Sequence, residues 1–98
     1  MPLTAHAELR AQQRAIHEEE LDLVVDYGRR VHNGGALYIF MGKRDIPDSL
    51  APALKERLHG ITIIMDPGTE EILTTYRNRR GLRDIKRKRK EYSSRKAA

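Results

Sequence analysis

The sequence predicts an α+β domain in which N-terminal helices pack on a small, mostly antiparallel four-stranded sheet, followed by a basic C-terminal tail. Two helical periodicities before residue 28 and four short strand-like runs after it, arranged in two hairpins, lead to this prediction. The chain has 98 residues, which is enough for one hydrophobic core but not for two. We therefore expect a single domain over 1–82 and a basic helix or disordered tail over 83–98.

Two helices are predicted at the start of the chain. Thr4 can cap a helix over 5–14, because a threonine hydroxyl accepts hydrogen bonds from the first turn of a helix. A second helix is expected over about 17–27, with three glutamates in its first turn, a buried stripe that includes Leu21, and Gly28 as its stop.

Two hairpins with a helix between them are predicted next. The strands are expected at 29–32, 36–41, 61–65 and 71–77. The Asn-Gly-Gly sequence at 33–35 is typical of a hairpin turn, since these residues tolerate positive φ. A third helix is expected from a cap at Asp48 or Ser49 to a stop at Gly60. With helices on one face of such a sheet, the other face is expected to be open to solvent or ligand.

Charge is distributed unevenly along the chain. Residues 1–76 hold 8 Lys and Arg against 12 Asp and Glu, whereas residues 77–98 hold 11 against 2. This asymmetry predicts a segment that binds a polyanion such as RNA or DNA, although a solvated tail has the same composition. The residues expected to contact nucleic acid are Arg10, Arg79, Arg80, Arg83, Lys86, Arg87, Lys88, Arg89 and Lys90.

Several classes of protein are disfavoured by composition. The chain has no cysteine, which excludes disulfides and thiolate metal sites and fits a cytoplasmic protein. No run of about 18 apolar residues occurs, so we expect no membrane span. Nucleic acid is favoured over an anionic membrane surface as the polyanion, and no membrane partner is expected. The four histidines do not have the spacing of metal ligands, and we expect neither a metal nor another cofactor.

The first helix carries a candidate site. His6, Arg10 and Arg14 are spaced four residues apart, which places them along one face of a helix. An imidazole beside two guanidinium groups can hold a phosphate and transfer a proton near neutral pH. The alternative is a surface row in which Arg14 pairs with Glu18.

Two stretches of the chain carry a resemblance to a known family. Residues 6–16 read His-Ala-x-x-Arg-x-x-x-Arg-Ala-Ile, and residues 73–77 read Leu-Thr-Thr-Tyr-Arg. They resemble a small bacterial domain family of unknown function that opens with His-Ala-x-x-Arg-x-x-x-Arg-Gly-Ile and closes with Val-Thr-Val-Tyr-Arg. That family is similar in layout to BrnT-like and RelE-like toxins of toxin–antitoxin modules, which are small α+β ribonucleases. This chain differs at Ala15, where the family has glycine, and by an additional helix around 48–59.

The resemblance implies a metal-free endoribonuclease acting on RNA, with a cognate antitoxin as partner. In that hypothesis His6 is the general acid or base, and Tyr76 stacks on or orients a base. Arg14 and Arg77, together with Arg10, hold the phosphate. Two other hypotheses stay open: a non-catalytic adaptor that binds nucleic acid or the ribosome, and a protein-interaction module. Contact between the basic tail and the acidic body of another copy would also permit an oligomer.

Overall fold

The computed structural model describes residues 3–85, which form three α-helices, a short 3₁₀ helix and a four-stranded sheet. The elements are α1 (Ala5–Gln13), α2 (Glu18–Tyr27), β1 (Arg29–Asn33), β2 (Ala36–Phe40), η1 (Lys43–Asp45), α3 (Pro52–Leu58), β3 (Ile61–Met65) and β4 (Ile72–Arg77). Residues 81–85 are also helical. The predicted α+β class and the predicted order of helices and strands are confirmed.

The sheet is an antiparallel meander with the strand order β1-β2-β3-β4. Helix α1 lies beside its β4 edge, where Leu3 forms a parallel bridge with Ile72. The Thr4 N–H donates to the Ile72 carbonyl oxygen (3.0 Å), and the Thr4 hydroxyl accepts from the Ala7 N–H (3.1 Å). Thr4 is therefore the predicted helix cap, and it also ties α1 to the sheet.

The main core lies between the helices and one face of the sheet. Helix α1 contributes the small residues Ala7 and Ala11, which allow its backbone to approach β4 closely. The buried members of this core are Ala7, Ala11, Ile16, Leu21, Val24, Leu37, Ile39, Met41, Ile46, Leu58, Ile61, Ile63, Met65 and Ile72.

The opposite face of the sheet is partly covered, which corrects the expectation of an open face. Ile85 is 1% exposed and packs with Val31 and Phe40. Gly81 allows this approach, because a Cβ at that position would lie 2.9 Å from the Phe40 ring. Leu82 and Ile85, three residues apart, give the helical turn an apolar side, and the predicted domain limit between 82 and 83 falls within it.

The start of α3 also differs from the prediction. The helix begins at Pro52 with Ala51 as its N-cap, whereas Asp48 and Ser49 lie in a preceding turn. Proline suits the first helical position, where no N–H is needed, and it sets the start of the helix here. The predicted stop at Gly60 is confirmed: its φ is +90°, and a Cβ there would lie 2.9 Å from the backbone nitrogen of Arg79.

Candidate nucleic-acid interface

Basic side chains from several elements meet at one end of the sheet, where β2 and β4 end and β3 begins. Backbone hydrogen bonds hold these elements together: the Gly60 N–H donates to the Met41 carbonyl oxygen (2.8 Å), and the Asn78 N–H donates to the Gly60 carbonyl oxygen (2.8 Å). We call this surface the basic end, and its cations are Arg14, Lys43, Lys55, Arg57, Arg77 and Arg79.

The loop between α1 and α2 belongs to the basic end and is shaped by a Schellman motif. The Ile16 N–H donates to the Ala11 carbonyl oxygen (2.9 Å), and the Ala15 N–H donates to the Gln12 carbonyl oxygen (3.2 Å), which are the two bonds of that motif. Ala15 occupies its left-handed position with φ of 50°. Glycine is usual at this position because a Cβ is strained there.

Arg14 and Arg77, two of the predicted phosphate-binding arginines, form hydrogen bonds between this loop and β4. Arg77 donates to the carbonyl oxygens of Arg14 and, at 3.1 Å, Ala15. Arg14 donates to the carbonyl oxygen of Thr75 at 2.7 Å instead of pairing with Glu18. The structure thus brings Arg14 and Arg77 together, in hydrogen bonds that hold the end of α1 against β4.

A buried carboxylate lies beside these arginines. Glu20 is 3% exposed and accepts two hydrogen bonds from Arg57, from Nε at 2.8 Å and from Nη2 at 3.1 Å. It also accepts from the His17 N–H (2.8 Å), and Arg77 Nη2 lies 4.0 Å away. Burial by itself raises the pKa of Glu20, but the hydrogen bonds from Arg57 and His17 and the charges of both arginines hold that pKa below its usual value. We call Arg14, Glu20, Arg57 and Arg77 the Glu20 cluster.

A second group of cations surrounds a cleft of about 430 Å³ on the outer side of α3. Its positively charged residues are Lys43, Lys55 and Arg79, which we call the cleft cations, and the imidazole of His59 also lines it. Arg79 donates to the exposed carboxylate of Glu56, and this hydrogen bond and the Arg79 charge hold the pKa of Glu56 below its usual value. At the cleft, Arg79 therefore pairs with an exposed carboxylate, whereas the Glu20 cluster is built around a buried one.

The structure places His6 and Arg10 away from the Glu20 cluster. His6 is exposed in the first turn of α1. Because an α-helix rises about 1.5 Å per residue, His6 lies about 12 Å along the axis from Arg14. Arg10 donates to the Gln13 side chain at 3.0 Å. The opening motif thus forms a row along α1 and does not gather around one point.

Tyr76 lies on the other face of the sheet from Arg77, since successive residues of a strand alternate between faces. It is half-buried and stands opposite Thr62, which in turn stands opposite Phe40. Burial and the neighbouring Tyr38 hydroxyl raise the pKa of Tyr76 above its usual value. The side chains of Tyr76 and Arg77 are therefore separated by the sheet.

The remaining predicted nucleic-acid contacts follow β4. Arg79, Arg80 and Arg83 are exposed in the turn at 78–80 and the helical turn at 81–85. The five basic residues at 86–90 lie outside the described residues. Arg79 adjoins the cleft, and the chain continues from it towards the basic run.

Sequence reasoning missed Lys43, Lys55, Arg57 and His59, as well as the buried role of Glu20. Residues 52, 55, 56 and 59 have the three- and four-residue spacing of one helix face, and this spacing could have predicted one wall of the cleft. No local pattern identifies the partners of that wall, because they come from η1 and from the turn after β4.

Within residues 3–85 no group of three or more His, Asp or Glu side chains is arranged to hold a metal ion. Among the same residues no helix is both long enough and apolar enough to cross a membrane.

Comparisons with protein-family models, with curated proteins and with solved structures found no match.

Proposed function

We propose that this chain binds nucleic acid through the phosphodiester backbone, with RNA as the expected ligand, and that the basic end and the basic run after it form the contact surface. The convergence of Lys43, Lys55 and Arg79, from η1, α3 and the turn after β4, carries this proposal. Residues distant in the chain supply these charges, so their concentration at one end of the fold does not follow from composition.

The exposure of the cations supports contact with phosphates. The side chain of Arg79 is 57% exposed, and those of Lys43, Arg80 and Arg83 are also at the surface. Guanidinium groups suit phosphate oxygens, because they donate two parallel hydrogen bonds. A nucleic-acid strand lying across the basic end would continue onto the exposed Arg79, Arg80 and Arg83. In the sequence, the densest run of positive charge follows them at 86–90.

The contacts favour binding without cleavage over the ribonuclease hypothesis. Arg14 and Arg77 already donate to backbone carbonyls. His6 lies two turns away along α1, and Tyr76 lies on the other face of the sheet. The ribonuclease and the antitoxin partner stay predictions, which the same binding experiment can address.

Fluorescence anisotropy with a labelled single-stranded RNA tests the proposal, with a DNA of the same sequence as a second ligand. We expect binding to weaken steeply between about 50 and about 200 mM salt. Replacing all five residues at 86–90 by Gln in the full-length chain should lower the salt slope by about 0.7 for each phosphate that the variant no longer neutralises. Substitution is preferable to removing 83–98, because that deletion also takes away the buried Ile85.

Arg80→Gln and Arg30→Gln form a matched pair, since both arginines are exposed and Arg30 lies on the outer strand β1. Arg80→Gln should weaken RNA binding and Arg30→Gln should not. Absence of binding to either nucleic acid in dilute buffer would overturn the proposal.

To test for cleavage, the RNA from the binding reaction is separated on a denaturing gel. Intact RNA supports binding alone, and cleavage that disappears in His6→Ala supports the ribonuclease.

A further inference from the structure

The outer face of α3 forms one wall of the cleft. Pro52, Lys55, Glu56 and His59 follow one another at the three- and four-residue spacing of a single helix face. Leu58, on the other side of α3, is fully buried in the core. The position of this wall is therefore set by core packing.

Cations from three separate elements enclose the cleft. Lys43 comes from η1, Lys55 from α3, and Arg79 from the turn after β4, and His59 adds an imidazole. The carboxylates at the cleft are Glu56, which accepts from Arg79, and Asp48. A bound anion can take the place of Glu56 as the acceptor of the Arg79 hydrogen bond.

The lining also has an apolar part, and its size suits a small ligand. Ile46 is 9% exposed and borders the cleft together with Pro52. The volume of about 430 Å³ falls within the range of sites that take small molecules. An apolar patch beside several cations matches a nucleotide, in which a flat base or ribose adjoins a phosphate.

We propose that this cleft binds a phosphate monoester at the end of a nucleic-acid strand. A monoester carries about −1.5 to −2 charges at neutral pH, compared with a single negative charge on each internal phosphodiester, so converging cations favour the strand end. This inference rests on the proposed function, since its ligand is the terminus of the strand that the basic end binds.

The test compares three RNAs of one sequence, with a 5′-phosphate, a 3′-phosphate or hydroxyl groups at both ends. We expect one phosphorylated end to bind about tenfold more tightly than the hydroxyl-ended RNA, a difference of about 1.4 kcal/mol. Lys55→Ala should remove this preference, and Arg30→Gln should keep it. Glu56→Gln should increase the preference, because it removes the carboxylate that competes for Arg79, and Glu8→Gln on α1 should have no such effect.

The outcomes separate this inference from the proposed function. Equal affinity for all three RNAs overturns the terminal-phosphate site and leaves nucleic-acid binding intact. No binding of any RNA overturns both. A third measurement adds a nucleoside monophosphate and records the amide resonances of residues 43, 55, 59 and 79. If these resonances shift while all three RNAs bind equally, the phosphate comes from a free nucleotide, and the strand-end assignment is overturned.

Discussion

The Glu20 cluster and the cleft cations lie at the same end of the fold but have different surroundings. In the Glu20 cluster, Arg57 holds a carboxylate that is 3% exposed, and Arg77 donates to carbonyls of the loop after α1. In the cleft, Arg79 donates a hydrogen bond to the exposed carboxylate of Glu56, and Lys55 lines the cavity. Arginine therefore pairs with a buried carboxylate in one group and with an exposed carboxylate in the other.

This contrast indicates how the basic end should respond to substitution. Changes in the Glu20 cluster should alter the stability of the fold, because its bonds join α1, α2, α3 and β4. Changes among the cleft cations should alter ligand binding, because ion pairs at an exposed surface contribute little to stability.

The largest expected effect is that of Glu20→Ala. It removes the acceptor of the Arg57 and His17 hydrogen bonds, and we expect a loss of about 2 to 3 kcal/mol in the free energy of unfolding, measured in urea. Glu19→Ala is the matched control: it removes an exposed glutamate from the same turn of α2 and should stay within about 0.5 kcal/mol of the original chain. Equal losses in the two variants would contradict a special role for Glu20.

Acidic pH should reduce the same effect. The pKa of Glu20 is lowered in the folded chain, so its contribution is complete above the ordinary glutamate pKa of about 4.3 and is lost as the pH falls through the lower, folded pKa. The difference in unfolding free energy between the original chain and Glu20→Ala should be full at neutral pH and shrink below about pH 4. A difference that is constant from neutral to acidic pH would show that the ion pairs contribute nothing.

A smaller effect is expected from exchanging arginine for lysine in each group. Lysine cannot reproduce the two parallel hydrogen bonds from Arg57 to Glu20, so Arg57→Lys should lower the midpoint of thermal unfolding, by less than Glu20→Ala does. Arg79→Lys keeps a positive charge at the exposed rim of the cleft and should leave the midpoint unchanged. Equal thermal shifts in the two variants would remove the distinction between the groups.

The smallest expected effect is a gain in stability from Ala15→Gly. Glycine relieves the left-handed strain at φ of 50°, although it also increases the entropy of the unfolded chain. We expect a net gain of about 0.5 to 1 kcal/mol in the free energy of unfolding. The matched control is Ala5→Gly in the first turn of α1, which should not stabilise the chain. If Ala15→Gly lowers the free energy of unfolding, the backbone strain at Ala15 is smaller than the entropy that glycine adds to the unfolded chain.

Local features of the chain predicted most of the fold. Thr4 caps α1, Gly60 ends α3, and both hairpins form where turn residues separate strand-like runs. The start of α3 was missed, and the helical turn at 81–85 begins before the predicted limit at 83 and packs on the sheet. In the first case a proline outweighed two favourable caps. In the second, two aliphatic residues in a basic segment gain stability only by contact with the sheet.

The candidate site was predicted less completely. The uneven charge of the chain identified Arg79, Arg80 and Arg83, which lie together after β4. The spacing of His6, Arg10 and Arg14 identified a row on α1, but a row on a helix says nothing about which other segments approach it.

The sequence by itself determined the order of helices and strands and the concentration of positive charge near the C-terminus, because both depend on residues that are close in the chain. Only the tertiary structure decided which basic residues are held by the fold and which border a cleft. Glu20 and Arg57 are 37 positions apart, and Arg79 and Glu56 are 23 apart. Such pairs form only when the sheet and its helices have packed, because packing of the apolar core, and not the charges themselves, sets where each guanidinium group lies.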